Sequence, residues 1–256
     1  MKLSPKQKNV ISVLGGFLIL FLLYHLPEIF QRHFQKPLLG VLELGMLLMV
    51  FAAWWIGEIQ VGTGLQAYGL FSFRKYSKNL AIGLLIGFAL FFSSSLFTVA
   101  LNWNQLSIHI SWFNLSIQVL LFSAGTLLPS LAEDLLTRGY LFAHWPDNWP
   151  KSILILLSAV IYVLNHIFRL NRPDVMLYLF VLGILLMWCL IITRSLWLTL
   201  GLHWGTNIGY QILSRILTVN SLKETGWDNY ILAITYFAGI LLVALLYKVN
   251  TFRHAN

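Results

Sequence analysis

Residues Val175–Ile192 read VMLYLFVLGILLMWCLII, a run with no charged side chain. At about 1.5 Å rise per residue, a helix of that length extends about 27 Å, close to the roughly 30 Å hydrocarbon core of a bilayer. The run is continuous rather than alternating, which favours a spanning helix over a strand. Arg194 and Ser195 then leave room for only a tight turn before apolar sequence resumes at Leu196. Working outward, the same pattern places spans near Val10–Leu26, Leu38–Ile56, Leu80–Leu101, Gln118–Ala143, Ser152–Arg169, Val175–Ile192, Leu196–Leu217 and Tyr230–Lys248. The expected fold is all-α: a polytopic membrane protein of about eight transmembrane helices in one bundle. Residues 1–256 read as a single integral membrane domain, without internal repeat or low-complexity linker. Pro129 should bend the fourth span.

Composition points the same way. The chain has 256 residues, of which 58% are apolar and 10% charged. A soluble domain carries about 25% charged residues. The formal charge of +8 is spread over the ends of apolar runs, where it orients spans rather than binding nucleic acid. An N-terminus inside puts Lys2, Lys6, Lys8, Arg74, Lys75, Lys78, Lys151, Arg194, Lys248 and Arg253 on the cytoplasmic side. Arg32, Lys36, Arg169, Arg172, Arg215 and Lys223 fall on the other side, and both termini are then cytoplasmic. The basic stretch Met1–Asn9 runs into the first span with no small-residue cleavage site, as in an uncleaved signal-anchor. Size and the lack of targeting extensions suggest a prokaryotic plasma membrane. Cys189 lies alone in an apolar run and reads as a packing residue.

Three polar pieces break the apolar pattern: Glu133–Arg138, Tyr162–His166 and His203–Asn207. Ionisable groups in a bilayer are costly, so they face a protein interior and mark a site. Helical rise puts Glu133 about 15 Å, His203 about 10–12 Å, Asn207 about 17 Å and His166 about 21 Å from the cytoplasmic face. One shared pocket near mid-membrane is therefore geometrically allowed.

Asp134 and Arg138 are four apart with the acid first, the favourable order for a helical ion pair, and read as a neutral strut. Glu133 points about 100° away, without an obvious local cation. A buried carboxylate of that kind suits a general base. Tyr162 and His166 share a face one turn apart. His203 and Asn207 do the same, presenting paired donors of the kind an oxyanion needs. Glu133, His166 and His203 also form a two-histidine, one-carboxylate set of the sort that holds zinc with one position open to water. Glu43 reads as a helix-packing group rather than a cavity-lining one, and His25, His33 and Glu58 as interfacial groups facing water.

Glu-acid-x-x-x-Arg, aromatic-x-x-x-His and His-x-x-x-Asn, in that order on late membrane spans, resemble the CPBP family. These are the CAAX proteases and bacteriocin-processing enzymes, among them the type II CAAX prenyl endopeptidases. The resemblance covers about residues 127–210, the catalytic core it implies. It implies that Glu133 and His166 activate water, that His203 and Asn207 hold the oxyanion, and that Arg138 orients. Asp134 stands where the family usually has glutamate, and Tyr162 where it usually has phenylalanine. The implied activity is an intramembrane endopeptidase acting on a peptide or membrane-anchored protein. The family is commonly called a metalloprotease, but a metal-independent glutamate mechanism uses the same residues, so zinc stays open. A catalytically silent member, acting as scaffold, immunity factor or regulator, is the alternative that Asp134 keeps alive. A small transporter would favour broken helices or repeated halves, and the chain shows no such repeat.

Overall fold

Apolar side chains cover the outside of this protein. Leu85, Leu120, Leu121, Ile234 and Leu241 are each more than 60% exposed. A surface of that kind is stable against lipid and not against water. The computed structural model describes residues 5–34 and 39–252. Lys2, Lys36 and Arg253 of the charge asymmetry, the side chains of Lys6 and Lys8, and the expected start of the second span at Leu38 lie outside what is described.

The chain folds as α1 (Pro5–Phe34), α2 (Leu39–Val61), a 3-10 turn (Gly64–Tyr68) and α3 (Phe73–Ala100). A short strand β1 (Asn104–Ser107) precedes α4 (Trp112–Asp134), which runs through a π turn (Leu135–Gly139) into α5 (Tyr140–His144). Then come α6 (Lys151–Asn165), a 3-10 turn (Ile167–Arg169), α7 (Pro173–Thr193) and α8 (Leu196–Gln211). A second π turn (Ile212–Ile216), β2 (Thr218–Ser221) and α9 (Asp228–Lys248) follow. The fold is an all-α polytopic membrane bundle with one small ribbon.

Among the described residues, six helical stretches are long and apolar enough to cross a membrane, against the eight expected from sequence. The two that fall short are α6, with 15 residues, and α8, with 16. At about 1.5 Å per residue α6 extends only about 22 Å, less than the hydrocarbon thickness. The third polar piece, His203–Asn207, lies on α8, and the second runs through the end of α6 to His166, just past it.

Both ends of the bundle are tied. At one end β1 pairs antiparallel with β2, from Asn104 opposite Ser221 to Ser107 opposite Thr218. Four residues of mixed polarity carry no strand period, so this ribbon has no signature in the sequence. At the other end the Leu196 amide donates to the Gly69 carbonyl (2.9 Å) and Trp197 Nε1 donates to the Phe71 carbonyl (2.9 Å). Tyr68, fully buried, packs against Gly139 beneath this connection.

One interface sets the position of the third polar piece. Gly83 and Gly87 on α3 face Gly201 and Gly205 on α8, each pair four residues apart. A Cβ on Gly83 would lie 2.8 Å from the Leu202 amide nitrogen, and one on Gly201 2.9 Å from that of Leu84. Only hydrogen fits between these backbones, as in small-residue contacts between membrane helices. His203, two residues beyond Gly201, is turned about 200° from that contact and so toward α4.

Candidate active site

The site is built around one imidazole. His203 Nδ1 lies 3.0 Å from Asp134 Oδ1, and its Nε2 lies 3.5 Å from Glu133 Oε2. Consecutive acids on α4 thus reach opposite edges of the same ring, which is 1% exposed. A carboxylate can only accept, so Nδ1 carries the proton and donates to Asp134. Asp134 thereby fixes the orientation of His203 as well as accepting from Arg138 Nη1. The expectation that Asp134 belongs with Arg138 alone is too narrow.

Glu133 is not the unpartnered carboxylate that helix geometry suggested. Asn165 Nδ2 donates to its Oε1 at 2.8 Å, and His166 Nδ1 lies 3.8 Å from the same oxygen. The partners come from the end of α6, which closes at Asn165 and leaves His166 as a non-helical cap with φ −95° and ψ 47°. His166 was expected well inside a helix. Instead its amide donates to Val163 and its carbonyl accepts from Arg169, tightening the chain into a 3-10 turn. Its Nδ1 donates to the Tyr162 carbonyl at 2.9 Å, which leaves Nε2 as the acceptor nitrogen.

Tyr162 packs among the polar groups. Its ring stands edge-on to His166 (centroids 5.0 Å) and His203 (5.7 Å), with the Arg138 guanidinium 4.4 Å from its centroid. The Tyr162 hydroxyl lies 3.3 Å from His203 Nε2. Arg138 is fully buried and also donates to Thr137 Oγ1 at 2.9 Å. It sits in the π turn, a helix distortion common at functional sites. Asn207 follows His203 by one turn and donates to Ser130 Oγ at 2.9 Å, Ser130 being one turn before Glu133. Glu133, His166 and His203 therefore meet directly, and Asn207 stands at the edge of the group.

A cavity of about 830 Å³ opens between α2, α4 and the end of α8, lined by Glu43, Gln118, Phe122, Gly125, Gln211 and Arg215. Gln211, which lines it, is one helical turn beyond Asn207. Glu43 lines it, and the helix-packing role expected for that residue is corrected.

Among the described residues no three His, Cys, Asp or Glu side chains form a metal-holding group. His166 Nδ1 and His203 Nδ1 both donate to oxygens, which leaves Nε2 of each ring as the nitrogen with a lone pair, free to accept a proton or to bind a metal.

Two contributors escaped the sequence reading. Asn165 lies inside the Tyr162–His166 piece, but no spacing within that piece gives it a partner. His25, expected to face water, is 3% exposed on α1, against Phe21 with ring centroids 4.4 Å apart. The only sequence signal was a histidine within an otherwise apolar run.

Residues 114–209 match the family described as Type II CAAX prenyl endopeptidase Rce1-like. That segment contains Glu133, Asp134, Arg138, Tyr162, His166, His203 and Asn207. No curated protein and no solved structure matches the chain.

Proposed function

From the membership of residues 114–209 in the CAAX protease family, we propose that this protein is an intramembrane endopeptidase whose water is activated by Glu133 and His166. The observation that carries the reading is His203 held between Asp134 and Glu133, with Asn165 and His166 closing the far side of Glu133. Three separated segments converge on one carboxylate, and each contributes a group with a role in peptide hydrolysis.

The reaction uses water and a peptide bond and no other reactant. Glu133 takes a proton from water as the water oxygen bonds to the peptide carbonyl carbon. The carbonyl oxygen becomes an oxyanion, which receives Asn207 Nδ2–H in exchange for the bond to Ser130; His203 joins as the imidazolium, because its Nδ1–H is held by Asp134 and only a protonated Nε2 can donate. The intermediate collapses as the C–N bond breaks. The proton held by Glu133 passes to the leaving amine, with His166 Nε2 as the second proton-accepting group. Asp134 keeps His203 oriented, and Arg138 balances the Asp134 charge. The chain's residues complete this sequence without a metal. The cavity beside Asn207, apolar with a few polar groups, suits a membrane-anchored peptide approaching from α2 and α4.

Purified protein in lipid nanodiscs, incubated with a library of membrane-anchored peptides, tests the reading by mass spectrometry of the products. Defined cleavage products with wild type are expected. A library left intact by wild type would refute the reading and leave the silent scaffold.

A further inference from the structure

We propose that His25 on α1, outside the family-matched segment, is a positioning residue that holds Glu133 through Asn165. The inference rests on the peptidase reading of Glu133.

Asn165 Nδ2 donates to Glu133 Oε1, so its Oδ1 is turned the other way. That oxygen is buried and, among the described residues, has no hydrogen-bond partner. Both ring nitrogens of His25 are buried and unpartnered as well. The Asn165 carboxamide lies beside the His25 ring. A neutral imidazole supplies one N–H donor, and a carboxamide oxygen is an acceptor. The two unsatisfied groups are chemically complementary, and leaving both unpaired in a membrane interior is costly. Phe21 and Tyr24 flank the ring, at centroid distances of 4.4 and 5.2 Å, and limit where it can turn.

The relay runs from the His25 N–H to Asn165 Oδ1, and from Asn165 Nδ2–H to Glu133 Oε1. Its effect follows from the near symmetry of a carboxamide. Without a donor at Oδ1, the Asn165 side chain is free to flip and present oxygen to the Glu133 carboxylate, which repels it. With His25 in place only one flip is favoured. Glu133 Oε1 is then occupied, and Oε2, on the His203 side, is left to meet water. A helix far upstream in sequence thus completes the catalytic centre.

The test compares His25→Phe, His25→Gln and Asn165→Ala in full-length protein in nanodiscs. Phenylalanine keeps the packing and removes the donor, whereas glutamine restores an N–H. His25→Phe is expected to lower kcat about tenfold, the effect of one hydrogen bond, with KM unchanged. His25→Gln should recover most of that loss, and His25→Phe should add nothing in the Asn165→Ala background. Unchanged kcat in His25→Phe, or losses that multiply, would overturn the relay. A second readout needs no cleavage: the ring ¹⁵N signals of His25 should shift in Asn165→Ala. Unmoved signals would overturn the proposal even in an active enzyme. Shifted signals in a protein that cleaves nothing would uphold the contact and refute the peptidase reading.

Discussion

His203 separates two carboxylates that are neighbours in sequence, and that placement gives each a different task. Asp134 accepts from both Arg138 and His203, so removing it leaves a buried guanidinium without its counter-charge. Asp134→Ala is expected to cost about 3–5 kcal/mol of stability, as for other broken buried pairs, read as a lowered midpoint in denaturant titration in micelles. Tyr162→Phe should be mild. The ring stack and the Arg138 contact survive, and the loss of one 3.3 Å hydroxyl contact should change kcat by about tenfold or less. A larger loss would give the hydroxyl a direct part in the chemistry. The residue chemistry of the centre was readable from i, i+4 spacing, because the partners of each pair are close along the chain, even where His166 lies just past the helix that carries Tyr162. Contacts between helices were not readable. The Asp134–His203 bond, the Asn165 carboxamide and buried His25 all depend on which helix lies opposite, and spacing within a helix carries none of that.

At the scale of elements, the α3–α8 contact matters most, because it fixes the depth and rotation of His203. Gly205→Leu should force these helices apart, since a Cβ there would already lie 2.9 Å from the Phe88 amide nitrogen. Loss of cleavage together with a lower melting temperature is expected. Gly15→Leu on α1, where nothing lies within 4 Å, is the matched control and should leave both unchanged. Long uncharged runs such as Val175–Ile192 were legible as helices, since length and hydropathy alone decide them. The early end of α6 at Asn165 was not, because apolar residues continue through Ile167. The polar turn that stops the helix there also frees His166 from helical geometry.

For the whole molecule, the bundle encloses a polar centre, and a cavity between α2, α4 and α8 opens about one helical turn beyond Asn207. Gly125 lines that cavity, and a Cβ there would meet only Glu43 Oε1, at 4.0 Å. Gly125→Trp should therefore fill the path and raise KM while leaving the melting temperature unchanged. Metal-free protein, verified by elemental analysis and assayed with chelator, should retain full activity. Loss restored by zinc would move the chemistry to a metal. The central claim is that Glu133 acts as the base on water within the membrane. Its most direct test is the cleavage rate of Glu133→Gln beside wild type, at matched folding, on one membrane-anchored peptide. The account predicts a loss of about 10²–10⁴-fold, the usual contribution of a general base, with the melting temperature retained. Equal rates for the two proteins would contradict it.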